Sequence, residues 1–259
     1  MKYFTADFET STWLEDESFV WAWALCEIGN TENLKIGNTI ETFFETVLKE
    51  NNPIVMFHNL KFDGEFLLYY IMHDLEFEYV DKKEKKDKSF STLISDMGLF
   101  YQIEVYFHVT KKHVKKITFR DSLKIINQSV ESIAKTFKLE ESKLKIDYNA
   151  PRERGHILTD EEKEYIKNDV VIVAKGLEFL FNQGYTKMTA GSNALTDYKN
   201  IINPKMFKKL YSPLNYVADQ DIRQAYKGGF TYLNPIYEGV DVGEGEVLDV
   251  NSLYPSRCQ

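Results

Sequence analysis

Polar and apolar residues alternate from the start of the chain, where Tyr3, Thr5, Asp7 and Glu9 interleave with Phe4, Ala6 and Phe8. A period of two is that of a strand with one face turned to a core, so the chain is predicted to open on a strand. The aromatic-rich run from Phe19 to Ile28 suits a second strand of the same sheet. Over residues 38–50 the period lengthens to that of a helix, through Ile40, Phe43, Phe44, Val47 and Leu48. Pro53 introduces a short buried strand, Ile54-Val55-Met56-Phe57, and a helix is predicted over 65–75 with Phe66, Leu67, Tyr70 and Ile71 inward. The charged run at 81–88 reads as an exposed loop. Residues 99–109 and 114–119 read as two strands joined by a basic turn at Lys111-Lys112, and 129–137 as a short amphipathic helix. Thr159, with Glu162 three residues on, has the form of a capping box. The helix it opens carries Ile166, Val170, Val173, Ala174, Leu177 and Phe181 on one side and ends near Gly184.

Strands followed by mixed helix and strand predict an α/β domain over residues 1–184. From 185 to 224 the chain reads as short helices and turns, and then as strands at 230–233 and 247–250. Composition agrees with a sizeable core and argues against disorder: 43% of the residues are hydrophobic and 14% aromatic. No apolar run approaches the length of a bilayer span, and carboxylates stand where a signal peptide would be apolar. Cys26 and Cys258 form neither a disulfide framework nor a zinc pattern, so a cytoplasmic protein with no membrane partner is expected. The net charge of −8 speaks against non-specific coating of nucleic acid, yet allows one strand to be held in a local groove. Lys111, Lys112, His113, Lys115, Lys116 and Arg120 form one basic cluster and Lys205, Lys208 and Lys209 another; each suits a solvated face as well as DNA contact.

The carboxylates change the picture. Two-metal hydrolysis of a phosphodiester needs several carboxylates brought to one place from separate rigid elements. Asp7 and Glu9 lie two apart, so both leave the same face of the first strand; taken alone they suit an acidic stripe on an edge strand. Asp63, in His58-Asn59-Leu60-Lys61-Phe62-Asp63-Gly64, follows a buried strand and taken alone suits a helix cap. Tyr165 and Asp169 lie four apart on one helix face and taken alone suit its surface.

In that order, Asp-x-Glu, Asn-x-x-x-Asp and Tyr-x-x-x-Asp resemble the motifs of the DEDDy 3′→5′ exonucleases, which have an RNase H-like fold. The resemblance implies an α/β domain with a mixed central sheet flanked by helices. It also implies two Mg²⁺ ions, with Mn²⁺ as the alternative, on Asp7, Glu9, Asp63 and Asp169, and a water positioned by Tyr165. Together with Met188-Thr189-Ala190-Gly191-Ser192, these stretches are similar to those of protein-primed family B DNA polymerases of small tailed phages. That likeness implies that Thr10, His58, Asn59, Phe62, Ser122 and Leu123 hold a single-stranded 3′ end. Amides and hydroxyls suit sugar and phosphate, and an aromatic ring suits a base face. Phe62 equally suits a core and Ser122 a cap. The family lysine at the scissile phosphate falls on Lys143, with Lys145 close enough to serve instead.

Tyr226-Lys227-Gly228-Gly229 resembles the family's Tyr-x-Gly-Gly link between exonuclease and polymerase domains, which implies that Tyr226, Gly228 and Gly229 contact the template. Asp249-Val250-Asn251-Ser252-Leu253-Tyr254-Pro255 resembles the first palm motif, implying metal and nucleotide binding at Asp249 and nucleotide selection by Tyr254. The stop at Gln259 leads to the expectation of an incomplete palm over 185–259 and no polymerisation by this chain. The expected function is thus a 3′→5′ exonuclease within a polymerase of the host cytosol. Its expected partners are a single-stranded DNA end, template DNA and a terminal protein primer. The alternatives are an inactive fragment that binds DNA or terminal protein, and an inert one whose exposed palm strand aggregates.

Overall fold

The computed structural model describes residues 2–14, 17–81, 84–111, 113–225 and 234–246. The predicted strands at 230–233 and 247–250, and with them Tyr226, Gly228, Gly229, Asp249 and Tyr254, lie outside the described residues. The chain divides into a unit Met1–Asn203 and a unit Pro204–Gln259.

The first unit is built on one mixed sheet. Its strands are β1 (Tyr3–Thr10), β2 (Val20–Glu27), β3 (Asn30–Gly37), β4 (Ile54–Phe57), β5 (Glu78–Tyr79), β6 (Ser89–Ile94), β7 (Phe100–Val109) and β8 (Val114–Asp121). They lie in the order β3-β2-β1-β4-β8-β7-β6-β5. The neighbours β1–β4 and β4–β8 are parallel, whereas β2 and β7 pair antiparallel with theirs. β1 is therefore an interior strand, not the acidic edge strand its isolated pattern allowed.

Period-two alternation explains the layers. Phe4, Ala6 and Phe8 turn toward α1 (Ile40–Val47) and α2 (Leu60–Tyr69), joining Phe43, Phe44, Val47, Leu60 and Leu67 in one core. Phe43 is fully buried, and its ring meets those of Phe8, Trp23, Phe57 and Phe119. Truncation to alanine there costs about 3–5 kcal/mol, the range for a buried phenylalanine whose cavity cannot collapse. The other face of the sheet is covered by α3 (Val130–Thr136) and α4 (Asp160–Asn182). Ala22, Ala24 and Cys26 pack there against Ile166, Val170 and Ala174, small side chains under a long helix. Thr159 caps α4 through the predicted capping box. The helix α5 (Ala190–Ile202) completes the unit. The described part of the second unit holds α6 (Pro204–Leu210) and α7 (Tyr216–Ala225).

Three differences from the sequence pattern have physical causes. β3 was not predicted because Asn30, Glu32, Lys35 and their neighbours are mostly polar, as befits an edge strand with no residue fully buried. β5 and β6 lie around the charged run, in a stretch whose polarity hides them. Helix α2 begins at Leu60, not at 65, because Asn59 takes the left-handed conformation (φ 81°) and turns the chain straight into a helix. A π turn (Tyr70–Asp74) then ends it. Among the described residues, no helix is long and apolar enough to cross a membrane.

Candidate active site

β1, β4 and β8 run in parallel, and the groups of interest gather at their carboxyl ends, where open α/β sheets leave a crevice. β4 ends at Phe57, opposite Ala6 of β1. The next amide along that edge of β1, Phe8 N–H, has no strand partner there, and Asp63 takes it: Oδ1 accepts at 3.2 Å. Asp63 is thus no helix cap but a buried carboxylate pinned to the β1 backbone at Phe8, the residue between Asp7 and Glu9. Gly64 lets this happen, since a Cβ there would meet the Phe100 ring at 3.1 Å and hold α2 off the sheet.

On the opposite face, Thr5 Oγ1 donates to the Val170 carbonyl at 2.9 Å and locks α4 to β1. This brings Asp169 beside Asp7 in a cleft of about 110 Å³, lined also by His58, Lys143 and Val173. Tyr165 and Asp169 are 3% and 4% exposed, so the helix face they share is a buried one and not the surface. Lys143 Nζ donates to Asp169 Oδ2 at 3.1 Å; Lys143 and Lys145 are both exposed, so it is this bond and not burial that tells them apart. Asp169 Oδ1 is buried with no partner. The Tyr165 hydroxyl meets that of Tyr148 at 2.6 Å.

The electrostatics follow from burying four acids beside one lysine. Burial, then the charge of Asp169, raises Asp7 to about 7, with Lys143 opposing. Burial, then Asp7 and Asp169, raises Glu9 to about 9. Burial and Asp7 hold Asp63 well above the usual carboxylate range. Asp169 is also raised by burial, against the pull of Lys143. Burial works against the charge on Lys143, but Asp169 carries its balance upward. Among the described residues, no group of three or more acid, His or Cys side chains stands arranged to hold an ion. The donor set nonetheless fits a hard cation: every donor is a carboxylate oxygen, negative charge is in excess, and Asp169 Oδ1 lacks a partner.

Of the expected strand-holding residues, His58 lines this cleft. Phe62 is 51% exposed, so it is not a core aromatic; its ring leans on Phe66 at 5.8 Å. Asn59 is exposed and its side chain caps nothing. Thr10 ends β1 beside a register shift against β2. Ser122 is fully buried and is not the cap of its turn, a role held by Asp121. Its Oγ donates to the Phe57 carbonyl at 3.0 Å and lies 3.0 Å from His58 Nδ1. His58 Nε2 lies 2.7 Å from the Gln128 carbonyl, which can only accept, and burial lowers the ring's pKa. The neutral ring therefore donates from Nε2, and its Nδ1 competes with the Phe57 carbonyl for the one hydroxyl proton of Ser122. Leu123 is half-buried in the same turn. Of the basic cluster, Lys115 donates to the Glu50 carbonyl and Lys116 pairs with Glu104, so both serve the fold.

Two features were missed by sequence reasoning. Tyr148 stands five residues after Lys143, close enough to the family lysine to have been marked with it. The buried pair of Arg152 with Glu162 (2.7 Å) gave no local signal, because Glu162 was already assigned to the capping box. Arg152 also donates to the Asp147 and Ala150 carbonyls and lies 4.1 Å over the Trp21 ring. It thereby ties the Tyr148 segment to the start of α4.

Comparison with known proteins follows this geometry. The chain is 44% identical over 256 residues to the DNA polymerase of Bacillus phage B103, covering 99% of this chain and 44% of that protein. It is 41% identical over 256 residues to the DNA polymerase of Bacillus phage phi29, with the same coverage. The solved structure of phi29 DNA polymerase complexed with single-stranded DNA superposes with a TM-score of 0.84 at 39% identity, over 99% of this chain and 45% of that one. The chain thus spans less than half the length of the relatives it matches. The model of DNA polymerase type B, organellar and viral, matches residues 44–157 and 149–258, and the chain belongs to that family.

Proposed function

We propose that this chain is the front part of a protein-primed family B DNA polymerase and that its first domain, residues 1–184, is a two-metal 3′→5′ exonuclease acting on single-stranded DNA ends. One observation carries the reading: Asp7 from β1 and Asp169 from α4 line one cleft with Lys143, Glu9, Asp63 and Tyr165 lie within reach of their charge, and the buried Asp169 Oδ1 lacks a partner. Asp7, Glu9, Asp63 and Asp169 would hold two Mg²⁺ ions, for which Mn²⁺ can substitute. Bound there, the ions supply an activated water and charge stabilisation for the leaving oxygen.

The chain's own residues do the rest. Burial, together with Glu9, raises Tyr165 far above neutral pH, so it stays a phenol. Its hydroxyl, fixed by Tyr148, orients the attacking water by hydrogen bonding and does not serve as a phenolate base. Lys143, which lines the cleft and bonds Asp169, neutralises charge on the scissile phosphate, and Lys145, absent from that lining, does not. Phe62 offers its ring to a terminal base, Thr10 and Asn59 bind sugar and phosphate, and Leu123 packs its apolar side chain against the strand, while Ser122, buried and already bonded to Phe57 and His58, braces the turn from beneath instead of touching DNA. With both ring nitrogens engaged, His58 holds Ser122 in place. Beyond residue 184, Tyr226, Gly228 and Gly229 contact template, and Asp249 and Tyr254 belong to the nucleotide site of the palm. A terminal protein primer is the protein partner of the whole polymerase.

The test is digestion of a 5′-labelled single-stranded oligonucleotide with Mg²⁺, comparing the chain with its Asp7→Ala/Glu9→Ala variant. A ladder shortened from the 3′ end and lost in the variant is expected. An oligonucleotide left intact by folded wild-type protein would sink the exonuclease reading.

A further inference from the structure

We infer that Asp121 is a positioning residue that fixes, relative to each other, the two turns that hold the DNA strand; the inference rests on the proposed roles of Asn59 and Leu123. Phe57 and Asp121 are paired neighbours at the ends of the parallel strands β4 and β8. Asn59 and Leu123 each lie two residues beyond that pair, where the ladder no longer holds them. Asp121, 2% exposed, replaces the ladder with its side chain. Its Oδ1 accepts from Asn59 N–H at 3.1 Å and from Leu123 N–H at 3.0 Å, and Lys124 pairs with Oδ2 at 3.2 Å.

The bond to Asn59 matters because Asn59 is a non-glycine residue in the left-handed region. It starts α2 without using its side chain as a cap, so the carboxamide is left for a ligand while the backbone is held from across the turn. Asp63, further along α2, has its own anchor on Phe8 N–H. Loss of the Asp121 clamp therefore moves the strand-holding turns against each other and spares the acid cluster. Such a residue acts on strand binding and not on the reacting groups.

Two variants separate clamp from cap. Asp121→Ser keeps a short oxygen that can cap Leu123 N–H but cannot reach Asn59. Asp121→Asn keeps one oxygen able to accept from both. With Asp121→Ser, the affinity for a fluorescent oligo(dT) in Ca²⁺ is expected to fall about tenfold, and KM for the exonuclease to rise about as much, as befits loss of one charge-assisted bond. kcat and Mn²⁺ affinity stay within about threefold, and Asp121→Asn restores most of the binding. Wild-type oligonucleotide affinity in folded Asp121→Ser would overturn the inference. So would a parallel loss of kcat and Mn²⁺ affinity, which marks general damage. If wild-type protein itself does not bind the oligonucleotide, the exonuclease reading fails and amide exchange judges the clamp. Asn59 N–H should then exchange about tenfold faster in Asp121→Ser, with Phe8 N–H unchanged; equal rates at Asn59 would overturn it.

Discussion

Binding of a divalent ion should expel protons from the acid cluster, and the number follows from its electrostatics. With Glu9 raised to about 9 and Asp7 to about 7, at pH 7.5 Glu9 is almost wholly protonated and Asp7 about one quarter so. Asp63, also raised, adds to the total. A carboxylate must be anionic to ligate, so loading with Mn²⁺ releases at least about one proton. The apparent Kd should fall about tenfold per pH unit between 7.5 and 8.5, steepen below about 7 and level off above about 9. Calorimetry in two buffers of different ionisation enthalpy counts the protons directly. Glu9→Gln should remove most of the release along with much of the affinity. The metal-free protein shows the converse. Its raised acids bind more protons folded than unfolded, so stability present below about pH 4 is lost as pH rises toward 9, and Mn²⁺ restores it. Release of well under half a proton at pH 7.5, or a Kd independent of pH, would refute the placement of Glu9 among the ligands.

Other expectations can be checked separately. Lys143→Ala should lower kcat at least about tenfold in single-turnover digestion, while Lys145→Ala stays within about twofold, because only Lys143 reaches Asp169. Arg152→Ala should cost about 1.5–3 kcal/mol in urea unfolding, since it removes the charge-assisted bond to Glu162 and leaves that acid to the Thr159 amide and His156. Despite its burial, Glu162 is held at about 2 by Arg152, by the Thr159 amide and by His156. The stability it confers is therefore present above about pH 4.5 and lost as pH falls toward 2, and Arg152→Ala should flatten that acid limb. Gly37→Ala should lower the melting point by several degrees, about 1–3 kcal/mol, because its Cβ would run into the buried Trp23 indole. Asp7→Asn should raise the metal-free melting point at pH 8 by about 1–2 kcal/mol while abolishing Mn²⁺ binding, a trade of function for stability.

The layers were legible in the sequence because hydrophobic period reports which face is buried, and Phe4, Ala6, Phe8 and the α4 stripe sit where their period placed them. What period could not report was the second face of a strand buried on both sides. Thr5, Asp7 and Glu9 look solvent-facing by polarity, yet Thr5 is 1% exposed because α4 covers it. The edge strand β3 escaped for the opposite reason, since an edge needs little hydrophobicity and shows little. The order of the acids was readable, but their meeting was not. Asp63 reaches β1 only because β4 stops opposite Ala6, two residues short of Phe8, a fact of register that no local pattern contains. Lys143 and Lys145 were indistinguishable as residue types and separate only once α4 places Asp169 beside one of them.

The places where polarity contradicts burial coincide with the places where chain chemistry is needed. A fold selected only for stability would not keep Glu9 and Asp63 under 10% exposed within reach of each other's charge. The cluster is instead supported by bonds that would be unnecessary for packing: Phe8 N–H for Asp63, Lys143 for Asp169, and the Thr5–Val170 lock for the strand that carries Asp7 and Glu9 and the helix that carries Asp169. The same logic extends outward. Tyr148 is held at Tyr165 by a segment that Arg152 pins, and Asn59 is held in a disfavoured conformation by Asp121. Rigid support around a cluster that repels itself is the arrangement expected where the missing stabilisation comes from a bound cation, because an ion can repay the repulsion only if the acids cannot swing away from it.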